Sequence, residues 1–117
     1  MKAFLIETLE TLGFPVFQQG SMSDGEPYPP SFITFLLIDS EDAANFDNVT
    51  RAIAYTFQVA FYSSDPLLVE SVPKLIRSTV KAAGGIMSGV GRDIPSDEPT
   101  HTGNVQECTI IEKIKEA

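Results

Sequence analysis

Residues 50–62 alternate with a period of two. Ile53, Tyr55, Phe57, Val59 and Phe61 fall on one side, Ala54, Thr56, Gln58 and Ala60 on the other. Successive side chains of a strand point to opposite faces, so this pattern predicts a strand with a large apolar face packed on a helix and a second face that is small or polar. At ~3.3 Å per residue such a strand reaches about 40 Å. That is long for a chain of 117 residues, which has the length of one domain. The chain carries no linker, repeat or low-complexity tract that would divide it, so residues 1–117 read as a single domain.

The other segments arrange themselves around this strand. Leu5, Leu9 and Leu12 recur at helical spacing with Phe4 beside them, which predicts a helix over 1–12. Gly13 stands where a left-handed glycine would end it. Phe14-Pro15-Val16-Phe17 predicts a short edge strand, since proline cannot donate to a ladder. Residues 18–30 read as a loop, 31–38 as a strand with both faces at least partly covered, and 39–49 as an acidic connection. Ser63-Ser64-Asp65-Pro66 is a helix start, with a capping side chain followed by proline at the first helical position. Leu68, Val72, Leu75, Ile76, Thr79 and Ala83 continue one face of that helix, and Gly84-Gly85 closes it. Pro73 lies inside the span and predicts a kink, or else a second helix start capped by Ser71. Gly89 and Gly91 dilute a strand at 86–92 and predict a bulge or an exposed edge. A polar loop at 93–103 and a final strand at 104–114 complete the chain.

The resulting order is α-β-β-β-α-β-β. Neighbouring strands without crossover helices pair antiparallel, so the class is α+β: a mostly antiparallel sheet of four to five strands with two helices on one face. The second face is then solvated or covered by another chain.

Charge excludes several functions. Lys and Arg number 8 against 16 Asp and Glu, for a net charge of −8. Such a chain is poorly suited to grip phosphates or an anionic membrane surface. The longest apolar run, Phe35-Leu36-Leu37-Ile38, falls far short of the ~20 residues of a spanning helix. Glu7 and Glu10 interrupt the N-terminal apolar stretch too early for a signal peptide. Cys108 stands alone and forms no internal disulfide, which favours a reducing compartment. The acids are concentrated early: residues 1–48 hold eight of them against Lys2, a net of −7.

Catalytic patterns find little support. Gly84-Gly85-Ile86-Met87-Ser88-Gly89-Val90-Gly91 is glycine-rich, but it follows a helix and enters a strand. A phosphate loop has the reverse order, because helix N-terminal N–H groups hold the phosphates. Ser71-Val72-Pro73-Lys74 and Ser78-Thr79-Val80-Lys81 fit Ser-x-x-Lys without the companion elements of a serine acyltransferase. His101, the one histidine, is expected to be solvated in its loop, and Cys108 to be a small core residue. Asp39, Glu41, Asp42 and Asp47 cluster as hard-cation ligands do, without the EF-hand pattern, so no metal or cofactor is expected. Lys74, Arg77 and Lys81 share a helical face by spacing (i, i+3, i+7). They are the candidate partners of Asp39, Glu41 and Asp42 on a neighbouring copy, a contact between subunits.

Three stretches carry a resemblance: the opening helix ending in Leu12-Gly13-Phe14-Pro15-Val16-Phe17, the entry Tyr28-Pro29-Pro30-Ser31-Phe32-Ile33-Thr34-Phe35, and Tyr55-Thr56-Phe57-Gln58-Val59-Ala60-Phe61-Tyr62-Ser63-Ser64-Asp65-Pro66. Over about residues 1–114 the chain resembles the tail-terminator or tail-completion proteins of long-tailed bacteriophages and prophages. The resemblance implies a non-enzymatic α+β subunit without catalytic residues. It implies a homo-oligomeric ring, typically a hexamer, that caps the tail tube and meets the head connector. It also places the protein in the bacterial host cytoplasm during assembly and then in the virion. Loops 18–30 and 93–103 are the expected contact segments, since polar loops on a rigid sheet commonly carry binding. Two other readings stand beside it: a neck or head–tail joining subunit, and a small ligand-binding or enzymatic domain whose site lies at a dimer interface. A pocket joining His101, Cys108 and a carboxylate would mark the last.

Overall fold

A computed structural model of the chain describes residues 1–20, 27–46 and 49–113. Its elements are α1 (Lys2–Glu10), β1 (Val16–Gln18), β2 (Ser31–Phe46), β3 (Val49–Ser63), α2 (Pro66–Ala82), β4 (Ile86–Pro95) and β5 (Thr102–Lys113). The strands form one sheet in the order β1-β2-β3-β5-β4, with two helices, an α+β arrangement. Residue 114 lies outside the described residues, as do 21–26 and Asp47.

Side-chain alternation sorts the sheet into two faces. Phe57, Val59 and Phe61 of β3 pair across to Leu37, Phe35 and Ile33 of β2. With Cys108 and Ile110 of β5 they form the core against Leu5 and Leu9 of α1 and Val69, Val72, Ile76 and Val80 of α2. Phe35, Phe57 and Phe61 are essentially inaccessible to solvent, and each such side chain contributes about 1.5–3 kcal/mol by leaving water. Phe35 meets Phe57 edge-on with ring centroids 6.3 Å apart, and Phe14 meets Phe61 at 5.2 Å.

Local signals explain the ends of the helices. Gly13 has φ 88° and follows the last turn of α1. Asp65 accepts a hydrogen bond from the Leu67 N–H at 3.0 Å, and Pro66 opens α2. α2 runs unbroken through Pro73, so there is no second helix start at Ser71. Proline at 73 leaves the Val69 carbonyl without its usual donor. It is tolerated where Pro73 is buried against the sheet and its own carbonyl accepts from Gln106 Nε2 at 2.8 Å. The buried stripe of α2 is Val69, Val72, Pro73, Ile76 and Val80. Leu75 and Ala83, expected on that face, are exposed: Leu75 falls outside the i, i+3, i+4, i+7 stripe from Val69, and Ala83 is the C-cap beyond the last turn.

Two expectations about the strands are corrected. Residues 39–49 were expected to connect two strands, but β2 continues to Phe46 and pairs with β3 along its length, past register shifts at Leu37/Asp39 and further on. Cross-strand hydrogen bonds override the poor strand propensity of the acidic stretch. The pairing of β1 with β2 is parallel, where antiparallel was expected. The connection over residues 19–30 is long enough for the chain to return to the same end of the sheet. β4 carries a bulge between Ser88 and Arg92 and lies at the sheet edge. No helix among the described residues is long and apolar enough to cross a membrane.

Past Leu37 of β2 and Tyr55 of β3, the described strand residues leave the helical core. β2, β3 and β5 nevertheless stay paired as far as Ala44, Ala52 and Lys113. They form an arm that helps stretch the molecule to 53 Å in its longest dimension.

Candidate functional site

The other face of the sheet divides in two. Near the ends of β2 and β3, Phe32 and Thr34 pair with Tyr62 and Ala60, away from the helices. Farther along, Leu36, Gln58, Thr56 and Thr109 are partly exposed, and Ile86 and Ile111 are about half exposed. The sequence pattern of 31–38 had called for cover on both faces. On this side, among the described residues, the cover comes from 27–30 and 96–101, at the Phe32 end.

Phe32 is the hub of that end and is 2% exposed. Its ring stacks on Tyr62 (centroids 5.3 Å, interplanar angle 25°). It meets Tyr28 at 5.3 Å, Phe17 at 6.3 Å and His101 at 5.9 Å. Tyr62 is held against β5 by a close approach: a Cβ added at Gly103 would lie 2.6 Å from ring carbons of Tyr62 and 3.2 Å from Ile94. Glycine is therefore needed at 103 for space.

The two loops meet here. The Tyr28 hydroxyl donates to the Asp97 carboxylate, at 2.9 Å and 2.8 Å from its two oxygens. His101 Nε2 donates to the Pro29 carbonyl at 2.8 Å. Nδ1 is hydrogen-bonded to Thr100 Oγ1 at 2.9 Å. His101, expected to be solvated, is thus buried and serves to tie the 96–101 loop to the 27–30 segment. Nothing in the local sequence announces this role; it needs Phe32, Tyr28 and Pro29, which are about seventy positions away.

Between the loops and the sheet lies an open cleft of about 480 Å³, lined among others by Gln18, Tyr28, Phe32, Thr34, Tyr62 and Asp97. The hydrogen bond to Asp97 is the main cause raising the Tyr28 phenol above its usual 10.0, with burial and the carboxylate charge adding to it. Burial, then Asp97, raises Tyr62. Both rings stay protonated and neutral at neutral pH.

The residues singled out by charge are spread over other surfaces. Asp39, Glu41 and Asp42 are exposed on the arm. Asp39 and Glu41 pair with Thr56 and Ala54, whereas Asp42 pairs with Ile53, so the three carboxylates are divided between the two faces. Among the described residues, no group of three His, Cys, Asp or Glu side chains is placed to hold a metal. Lys74 and Lys81 are exposed on α2, while Arg77 is half-buried and donates through Nη1 to the Gly89 carbonyl in the β4 bulge. Ser71 and Ser78 are exposed on the same helix, and the Ser78 hydroxyl donates to the Lys74 carbonyl at 3.1 Å.

Cys108 is inaccessible to solvent and belongs to the core on the helical face, where burial pushes its thiol up to about 11. His101 packs against Phe32 on the opposite face. A site joining His101, Cys108 and a carboxylate is therefore not assembled. A second hollow of about 740 Å³ lies between α2 and residues 93–95 and 102–104, with Glu70, Lys74 and Asp93 at its walls. A scan of protein-family models finds none that matches the chain, and no curated protein matches it.

Proposed function

We propose that the chain is a structural subunit of a long-tailed phage or prophage, of the tail-terminator kind it resembles. In this reading, copies join head to tail into a ring that closes the tail tube and meets the head connector. The observation that carries the reading is the separation of two exposed sets of opposite charge, of which the acidic set occupies both faces of the arm. Asp39, Glu41 and Asp42 stand on the arm beyond the core, and Lys74 and Lys81 stand on α2 of the body. Different patches that complement each other favour a heterologous contact, and heterologous contacts build rings. Arg77 contributes less than its spacing suggested, since Gly89 already engages it. The half-exposed Ile86 and Ile111 on the uncovered part of the sheet add apolar area to such a contact.

The test is the mass in solution by light scattering over a range of protein and salt concentrations, alone and with tail tubes. The reading expects a discrete species near six chains, either free or on the tube. Reversing Lys74 and Lys81 to Glu should abolish it, and reversing Asp39, Glu41 and Asp42 to Lys in the same chain should restore it. Assembly untouched by either set would remove the charge-paired interface. Copurification with portal in place of tail tube would favour the neck or head–tail joining role.

A further inference from the structure

We propose that the cleft between the two loops binds an arginine side chain presented by a partner protein. Three aromatic rings, Tyr28, Phe32 and Tyr62, contribute to its lining, and Asp97 is the one carboxylate among the described residues that line it. No Lys, Arg or His side chain is among the described residues that line it. Aromatic faces attract cations, and a planar guanidinium both stacks on a ring and donates two parallel N–H bonds to a carboxylate.

Asp97 is prepared for that task. The Tyr28 hydroxyl spans its two oxygens, which fixes the carboxylate at the cleft wall. An ionised carboxylate has about four acceptor positions, so one phenol leaves most of them for a ligand. Tyr28 is itself positioned by its edge-on packing against Phe32 and His101. The cleft is thus braced from both loops before any ligand arrives, which lowers the ordering cost of binding.

Charge decides among ligand classes. An anion would meet Asp97 with no cation among the described residues of the wall to offset it. A neutral apolar group would desolvate that carboxylate and leave its charge without a counter-charge. A protonated guanidinium satisfies the rings and the carboxylate together, and the net charge of −8 draws cations toward the molecule. The inference is independent of ring formation, because the cleft is built from one chain.

The experiment is a titration of the isolated full chain with N-acetyl-arginine methylamide, followed by two-dimensional NMR. The matched neutral probe is the citrulline analogue, which has the same shape without the charge. The expected result is a saturable response at Tyr28, Phe32, Tyr62 and the backbone near Asp97. Citrulline should bind at least about tenfold more weakly. Asp97→Asn, an exposed change that keeps an acceptor for Tyr28, should weaken the arginine probe by a similar factor while preserving the spectrum of the folded protein. Tyr62→Leu should also weaken it, and its spectrum reports whether the fold survives. Equal binding of the two probes, or a response that never saturates and spreads over the acidic surface, would overturn the proposal. So would an Asp97→Asn protein that binds the arginine probe as well as the parent does.

Discussion

Replacing Gln106 by methionine should leave the protein as stable as the parent or slightly more stable, although it deletes a buried hydrogen bond. Gln106 is 3% exposed on the helical face of β5. Its Nε2 ties the sheet to α2 through the Pro73 carbonyl at 2.8 Å, but its Oε1 is buried without a partner. The lost tie costs about 1 kcal/mol net. Removing an unsatisfied buried acceptor returns about 1–3 kcal/mol. Methionine nearly matches glutamine in shape, so repacking adds little. The balance is a stabilisation of about 1 kcal/mol, which for a domain of this size raises Tm by roughly 3–6 °C. Gln106→Ala is the control. It relieves the same acceptor but leaves a cavity, and should fall about 2 kcal/mol below the methionine variant. Urea unfolding followed by circular dichroism reads both. A methionine variant destabilised by more than about 1 kcal/mol, with an unchanged urea slope, would refute the ledger. It would mean that Oε1 is satisfied in solution.

Three further outcomes are expected. Gly103→Ala should destabilise the protein by about 1–3 kcal/mol, because its Cβ drives into the Tyr62 ring; Tyr62→Ala in the same chain should recover part of that loss in a double-mutant cycle. Cys108 should resist iodoacetamide in the folded protein, since a thiol near 11 has about a hundredth of the thiolate of one at 9.0; modification as fast as in urea would contradict the burial. Tyr28 and Tyr62 lie above 10.0 when folded and return to it on unfolding. The folded state therefore holds more protons, and the contribution of these phenols to stability is complete below 10 and shrinks as the pH climbs past it; urea midpoints at alkaline pH should fall more steeply for the parent than for Tyr28→Phe.

Much of the fold was legible because local rules carried it. The period-two run at 50–62 became β3, Asp65-Pro66 opened α2, and Gly13 took its left-handed conformation just past α1, which ends at Glu10, short of the expected 12, each by a signal confined to a few neighbouring residues. The acidic stretch 39–46 misled because its composition suits a loop, while pairing with β3, the next strand of the chain, holds it extended. The parallel pairing of β1 was hidden for the same reason: partner choice is set by the path of the intervening chain. The stripe of α2 was read in part: Val72 and Ile76 turn inward as expected, whereas Val69, Pro73 and Val80 join them in place of Leu75, since contact with the sheet decides which residues turn inward.

The cleft marks the boundary most sharply. The sequence alone determined that Phe32 would sit in a strand and that 96–101 would be polar and irregular, because composition and alternation are local properties; the loop expected over 93–103 is shorter, since β4 runs to Pro95 and β5 begins at Thr102. Only the tertiary structure decided that Tyr28 would reach Asp97, that His101 would be buried on Pro29, and that Cys108 would end on the opposite face from both. Those contacts join residues some seventy positions apart, and their geometry follows from the antiparallel register of β2, β3 and β5. Register is set by the packing of the whole sheet against its helices, a property no single segment of the chain possesses.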